Sequence, residues 1–203
     1  MAKCVPKRRV ARRHGPSTLS WMRLFVGIAL EPVATEALLR VCKQLASAAA
    51  ELRWSQPESW HVTLQFLGSA TEEQALCVAQ RLAALQSAPV PVRIAGLGYF
   101  ERAAVFWAGV ELTAELLAIQ HKITTATRAC GFVPENRAYN PHITLARARG
   151  RSAPRALAPL KTVVEQKKLS IRAEFVATEF LLYESFPGPE GSKYEVRGRF
   201  ELG

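Results

Sequence analysis

The sequence predicts an α+β protein, and two observations carry that expectation. Stretches with apolar residues at helical spacing alternate with short β-branched runs and hairpin turns along most of the chain. A four-residue word, His-(Val/Ile)-Thr-Leu, stands once in each half, at residues 61–64 and 142–145. Periodicity alone implies no more than mixed α and β; the doubled word suggests two similar lobes.

Residues 23–29 are apolar and partly β-branched, which reads as a central strand. Glu31-Pro32 opens a helix, with proline in its first turn. Val33, Ala37, Leu38, Val41, Leu45 and Ala48 recur at helical spacing to about residue 50. Residues 53–59 read as a connector into the first word, and Gly68-Ser69 ends that strand. Thr71-Glu72-Glu73 starts a second helix with Ala75, Leu76, Ala79, Leu82, Ala83 and Leu85 as its apolar stripe, finished before Pro89. Strands are predicted over 92–97 and 105–112, then a third long helix over 113–130 capped by Gly131. The loop 132–141 leads to the second word. A basic loop, 150–159, precedes a short helix reaching Lys168. One strand over 171–184 and another over 193–201, joined through Pro187-Gly188-Pro189, close the chain.

The composition is that of an ordinary globular protein, 49% hydrophobic and 22% charged, and 203 residues suffice for a substantial core. The formal charge of +10 favours a polyanionic partner. Six of those charges, Lys3, Lys7, Arg8, Arg9, Arg12 and Arg13, lie in the first 20 residues. That segment reads as a basic flexible tail (1–21) or an upstream start ahead of Met22, alternatively as an electrostatic arm. Paired arginines before an apolar run also resemble an export signal. The run is short and interrupted by Arg23, so export is not expected. Cys4, Cys42, Cys77 and Cys130 lie far apart with no Cys-x-x-Cys. Their spacing suggests neither metal site nor disulfide, and a reducing cytoplasm is the expected compartment.

The two words carry the chemistry. Side chains alternate along a strand, so His61 shares a face with Thr63, and Val62 with Leu64; His142 pairs likewise with Thr144. Each word therefore buries two aliphatics and presents an imidazole beside a hydroxyl. One such word would be an ordinary coincidence of a strand; two, using half of the four histidines, are not. Histidine titrates near neutrality, so one imidazole can serve as acid and the other as base. A hydroxyl donates to an anionic oxygen without competing for the proton in transit. A phosphodiester held between the two histidines fits that set.

On these words the chain resembles the 2H phosphoesterase superfamily, and within it the RNA 2′,3′-cyclic phosphodiesterases, historically called 2′-5′ RNA ligases. The resemblance extends through Met22 to Ile28, Arg53-Trp54, His61 to Gly68, Gly96 to Phe100, Trp107 to Val110, Pro141 to Arg147 and Tyr194 to Val196. It implies a bilobal fold over residues 22–203, with two pseudo-twofold-related lobes, each an antiparallel sheet with flanking helices, around a central cleft. It also implies metal-independent hydrolysis of a 2′,3′-cyclic phosphate on RNA or a nucleotide, giving a 2′-phosphomonoester. His142 would be the proton acceptor from water and His61 the proton donor to the 3′ oxygen. Thr63, Thr144 and Arg147 would bind the phosphate. Strand parity, however, puts Arg147 on the face opposite His142, so it reaches the cleft only if the strand bends.

Other residues carry less. Gln65 shares the parity of His61 and Thr63. Trp54, Tyr99, Phe100 and Tyr139 could stack on a base but read more simply as core or cleft wall. Arg149, Arg151 and Arg155 could meet an RNA backbone or form a solvated loop. His121 reads as an ordinary helix residue, and His14 belongs to the tail. No zinc spacing and no Gly-rich nucleotide loop is present, so no metal and no cofactor is expected. No membrane association is expected, and a monomer is. Two other functions share these residues: an RNA-end-binding or tRNA-processing module without turnover, and reversible 2′-5′ ligation.

Overall fold

The structure, a computed structural model, describes residues 21–48, 52–148, 155, 157–188 and 191–203. The basic segment 1–20, Arg149 and Arg151 lie outside them. Strand β1 (Met22–Ala29) is apolar on both faces because both are covered. Leu24, Val26 and Ile28 enter the main core, while Phe25 joins Leu181 and Tyr183 in a separate cluster on the other side. Helix α1 (Pro32–Leu45) begins at its proline and buries Ala34, Leu38, Val41 and Leu45. Val33 of the predicted stripe is exposed, since the buried face is set one residue later. The helix gives way to a 3-10 turn at Ala46 rather than running to residue 50.

The expected connector 53–59 contains a strand, β2 (Leu52–Trp54), and a 3-10 turn, Pro57–Ser59. Three residues carry no period to read; β2 exists through its pairing with a later strand. β3 (His61–Ala70) is the first word and its continuation. Helix α2 (Glu72–Ala83) starts on a capping box in which the Thr71 side chain and Gln74 satisfy each other's backbone N–H. Its buried residues are Val78 and Leu82, whereas Leu76 is exposed. β4 (Val90–Phe100) and β5 (Val105–Val110) form a hairpin, and α3 (Ala114–Arg128) comes next, with Thr113 as N-cap and Gly131 at φ +90° beyond its end. β6 (His142–Ala148) is the second word, and α4 (Ala158–Gln166) the short helix. The single strand expected over 171–184 is two, β7 (Arg172–Ala177) and β8 (Glu179–Phe186), before β9 (Lys193–Glu201).

These strands form two antiparallel sheets, in the orders β3-β1-β8-β9 and β2-β6-β5-β4-β7. Each sheet holds one histidine word, but the sheets are not the two halves of the chain. β8 and β9 return to the first sheet, β2 sits in the second, and the break at Thr178 is where the chain changes sheets. Helices cross over as well: α1 packs on β7, and α3 packs on β3 and β4. One continuous core, including Leu38, Leu82, Ile119, Ile123, Ile143 and Phe180, runs through both.

The cysteine reading is corrected here. Cys77 of α2 and Cys130 beyond α3 form a disulfide, with Cα atoms 5.8 Å apart across 53 residues of sequence. The packing of α2 on α3 brings them together, a tertiary contact that sequence spacing cannot report. Cys42 is free, and burial pushes its thiol up to about 12.

Candidate active site

Both words run into the same irregularity. On β3, Gly27 faces Thr63 and Val26 faces Gln65, leaving Leu64 without a cross-strand partner. On β6, Trp107 faces Thr144 and Phe106 faces Ala146, leaving Leu145 without one. A bulge inserts one residue and reverses the alternation beyond it. Leu145 and Ala146 are accordingly both buried, and Arg147 emerges on the face of His142 and Thr144. The bend that Arg147 needs is this bulge. On β3 the same step turns Gln65 inward, to 6% exposure, where its Oε1 accepts from Thr127 Oγ1 at 2.8 Å. Gln65 therefore leaves the histidine face, contrary to simple parity, and Phe66 takes the place that Arg147 holds on β6.

The two imidazoles are oriented alike. His61 Nδ1 lies 2.7 Å from the carbonyl of Ser59, and His142 Nδ1 lies 2.9 Å from that of Asn140. A carbonyl only accepts, so each Nδ1 carries a proton and each neutral Nε2 keeps its lone pair. Their surroundings differ. Around His61 stand Phe25, Tyr194 and Tyr183, at ring-centroid distances of 4.6, 5.2 and 5.8 Å. Gly27 leaves room beside that ring: a Cβ there would lie 3.5 Å from His61 Cδ2 and 2.9 Å from the Val62 carbonyl. His142 meets Phe100 at 4.8 Å and Trp107 at 6.2 Å.

Burial sets the electrostatics. It lowers the His61 pKa to about 4, against a smaller opposing effect of the Ser59 carbonyl, and the charges of His142 and Arg147 push the same way. Burial likewise lowers His142, helped by Arg147 and Arg137. Arg147 too is held below its ordinary value by burial, with Tyr194 opposing and Arg53 assisting. His142 and Arg147 of β6 thus lie within electrostatic reach of His61, although His61 belongs to the other sheet. Tyr139 ties those sheets together, its hydroxyl donating to the Thr63 carbonyl at 2.9 Å.

A family model described as the 2′-5′ RNA ligase superfamily matches residues 57–185, a span containing both words. The chain belongs to the 2′-5′ RNA ligase superfamily. Among curated relatives, the chain is 31% identical over 183 residues to a protein of Geobacillus stearothermophilus named RNA 2′,3′-cyclic phosphodiesterase, covering 88% of this chain and 56% of that one. A relative of the same name from Archaeoglobus fulgidus is 26% identical, covering 89% of this chain and all of its own. The chain spans just over half the length of the Geobacillus relative and 66% of one from Aeropyrum pernix. Among solved structures, Escherichia coli LigT complexed with 3′-AMP shares the fold at a TM-score of 0.72 and 21% identity, over 90% of this chain and 99% of that one. A Thermus thermophilus structure reaches 0.71 at 27% identity, over 89% and 98%.

Within this superfamily fold, the remaining candidates separate. Phe100 stands in the cleft against His142, and Tyr139 serves as the interlobe tie. Trp54 and Tyr99 pack on Phe106 in the core instead, at 6.1 and 5.4 Å. His121 is exposed on α3, and Arg155 is exposed near α4. Periodicity gave no sign of Phe25, Tyr183 or Tyr194 as the wall around His61. Phe25 and Tyr194 lay within stretches resembling the family, which was their one legible signal; Tyr183 carried none. Among the described residues, no group of three His, Cys, Asp or Glu side chains is placed to hold a metal ion, and no helix is long and apolar enough to cross a membrane.

Proposed function

We propose that this chain hydrolyses 2′,3′-cyclic phosphate ends of RNA or nucleotides to 2′-phosphomonoesters, without a metal. One observation carries the reading: both imidazoles have Nδ1 committed to a backbone carbonyl, which leaves Nε2 of each as the proton-transfer atom. Nε2 of His142 takes a proton from water as its oxygen attacks phosphorus. The bond from phosphorus to the 3′ oxygen breaks, and Nε2 of His61 gives that oxygen its proton. Thr63, Thr144 and Arg147 hold the non-bridging oxygens, whose charge grows in the transition state. The names of the relatives support the substrate class.

His61 must be protonated to act, yet burial favours its neutral form. The anionic substrate supplies the compensating charge, so the acid is loaded as the phosphate binds. Residues 22–203 act as one bilobal catalytic domain, a monomer in the cytoplasm, behind a basic tail. The cysteines no longer support that compartment, because Cys77 and Cys130 form a disulfide. The depressed basicity of His61 also favours a second reading, an RNA-end-binding module without turnover.

The deciding experiment incubates the protein in excess EDTA with 2′,3′-cyclic mononucleotides and cyclic-phosphate-ended oligonucleotides, tracking products by phosphorus NMR. A 2′-phosphate product is expected. Strict metal dependence would sink the mechanism, and tight binding with no product would select the second reading.

A further inference from the structure

Arg147 has a partner that neither the words nor the chemistry above assigns. β2 pairs antiparallel with β6, and Arg53 stands directly opposite Arg147. Directly opposed residues of an antiparallel pair point to the same side of the sheet. The neighbours of Arg53 confirm which side that is. Leu52 is buried in the core, and Trp54 packs edge-on against Phe106 there, so Arg53 faces away from the core with Arg147. Without the bulge at Leu145 the two guanidinium groups would share that row but not the row of His142 and Thr144.

Like charges directly opposite one another disfavour a strand pair, and the charge of Arg53 does act against that of Arg147. An anion between or across them reverses the sign of that contribution. The cyclic phosphate at the reaction centre carries one negative charge, already served by two threonines, two imidazoles and Arg147. The guanidinium of Arg53 is set further out, on the edge strand of its sheet. It lies against the turn between β8 and β9, where a Cβ on Gly191 would come 3.7 Å from Arg53 Nε. Arg53 is thus held at the rim where the two sheets meet, one strand away from the histidine word.

We propose that Arg53, beside Arg147, forms a second phosphate subsite that takes the phosphodiester one nucleotide upstream of the cyclic end. A planar guanidinium recognises a phosphate through two parallel hydrogen bonds, which a lysine cannot reproduce. The consequence is a preference for RNA ends over free cyclic mononucleotides. This deepens the cyclic-phosphodiesterase reading and rests on it.

The test compares kcat/KM for 2′,3′-cyclic CMP and for a tetranucleotide ending in the same cyclic cytidine, in the wild type, R53Q and R53K. The wild type is expected to favour the tetranucleotide by tenfold or more. R53Q should lower the tetranucleotide value about tenfold more than the mononucleotide value, chiefly through KM. It should also flatten the log–log salt dependence for the tetranucleotide by roughly 0.7. R53K should keep that salt slope yet lose part of the preference. Equal losses on both substrates in R53Q and R53K, or no wild-type preference, would overturn the subsite. If neither substrate turns over, it is the hydrolytic reading that fails. Anisotropy with the 2′-phosphate-ended tetranucleotide then measures the same ratio, and R53Q binding as tightly as wild type overturns the subsite.

Discussion

Leu64 and Leu145 occupy equivalent places in two different sheets, each left without a cross-strand partner one step after the threonine of its word. Both side chains are buried, at 2% and 0% exposure, so each bulge is anchored in the core rather than frayed at an edge. The residues beyond the two anchors differ: Phe66 emerges at 51% exposure on one side of the pseudo-symmetric pair and Arg147 on the other. The cleft is therefore symmetric in its histidines and threonines and asymmetric in its charge.

Arg147→Ala is expected to lower kcat/KM by roughly 30- to 150-fold, the worth of about 2–3 kcal/mol for a charge-assisted contact to phosphate. Inserting an alanine between Ala146 and Arg147 shifts the alternation by one and turns Arg147 toward the core, so it should cost at least as much. Steady-state kinetics on a cyclic mononucleotide checks both, and an insertion variant with wild-type activity would refute the face given to Arg147.

Replacing either histidine by alanine should reduce the rate on the order of 10²- to 10⁴-fold, with a bell-shaped pH–rate profile in the wild type. Histidine NMR titration separates the two rings. In the free protein His61 should titrate near pH 4, and bound phosphate should raise it. A free His61 titrating at or above its ordinary value would contradict the desolvated ring.

The same ring links stability to pH. Its folded pKa of about 4 lies below the ordinary 6.5, so between those values the unfolded chain binds more protons than the native one. Its contribution is fully present above pH 6.5 and is lost as pH falls toward 4. Chemical denaturation across that window should show the loss, and His61→Asn should shrink it.

Gly98 lies beneath the Trp107 ring, where a Cβ would come within 2.3 Å of Cη2 and Cζ2. Gly98→Ala must displace that ring, which also touches Phe100 and neighbours His142. A loss of about 1–3 kcal/mol in stability is expected from overpacking, with a lowered kcat. A denaturation midpoint and kcat both matching wild type would mean that the ring can move freely.

Reducing the Cys77–Cys130 bond, or making the C77S/C130S variant, releases a loop of 53 residues. Loop-closure entropy puts the cost at about 4 kcal/mol. Thermal melts with and without reductant should differ in the wild type and coincide in the double variant. Coincident melts in the wild type would remove the staple from the account of stability.

Much of the cleft was legible from residue order because its information is local. His61 with Thr63 and His142 with Thr144 share faces by strand alternation, and Thr71 with Gln74 fixes the start of α2 within a single turn. What alternation could not supply was decided by pairing between distant segments. The bulges at Leu64 and Leu145 depend on neighbouring strands, and they sent Gln65 into the core and Arg147 to the cleft. β2 exists only as the partner of β6, the change of sheet at Thr178 reflects where β7 and β8 find edges, and Cys77 meets Cys130 only because α2 packs on α3. Periodicity records which face of an element is apolar; it holds no term for which element will lie alongside, and that choice belongs to the folded core.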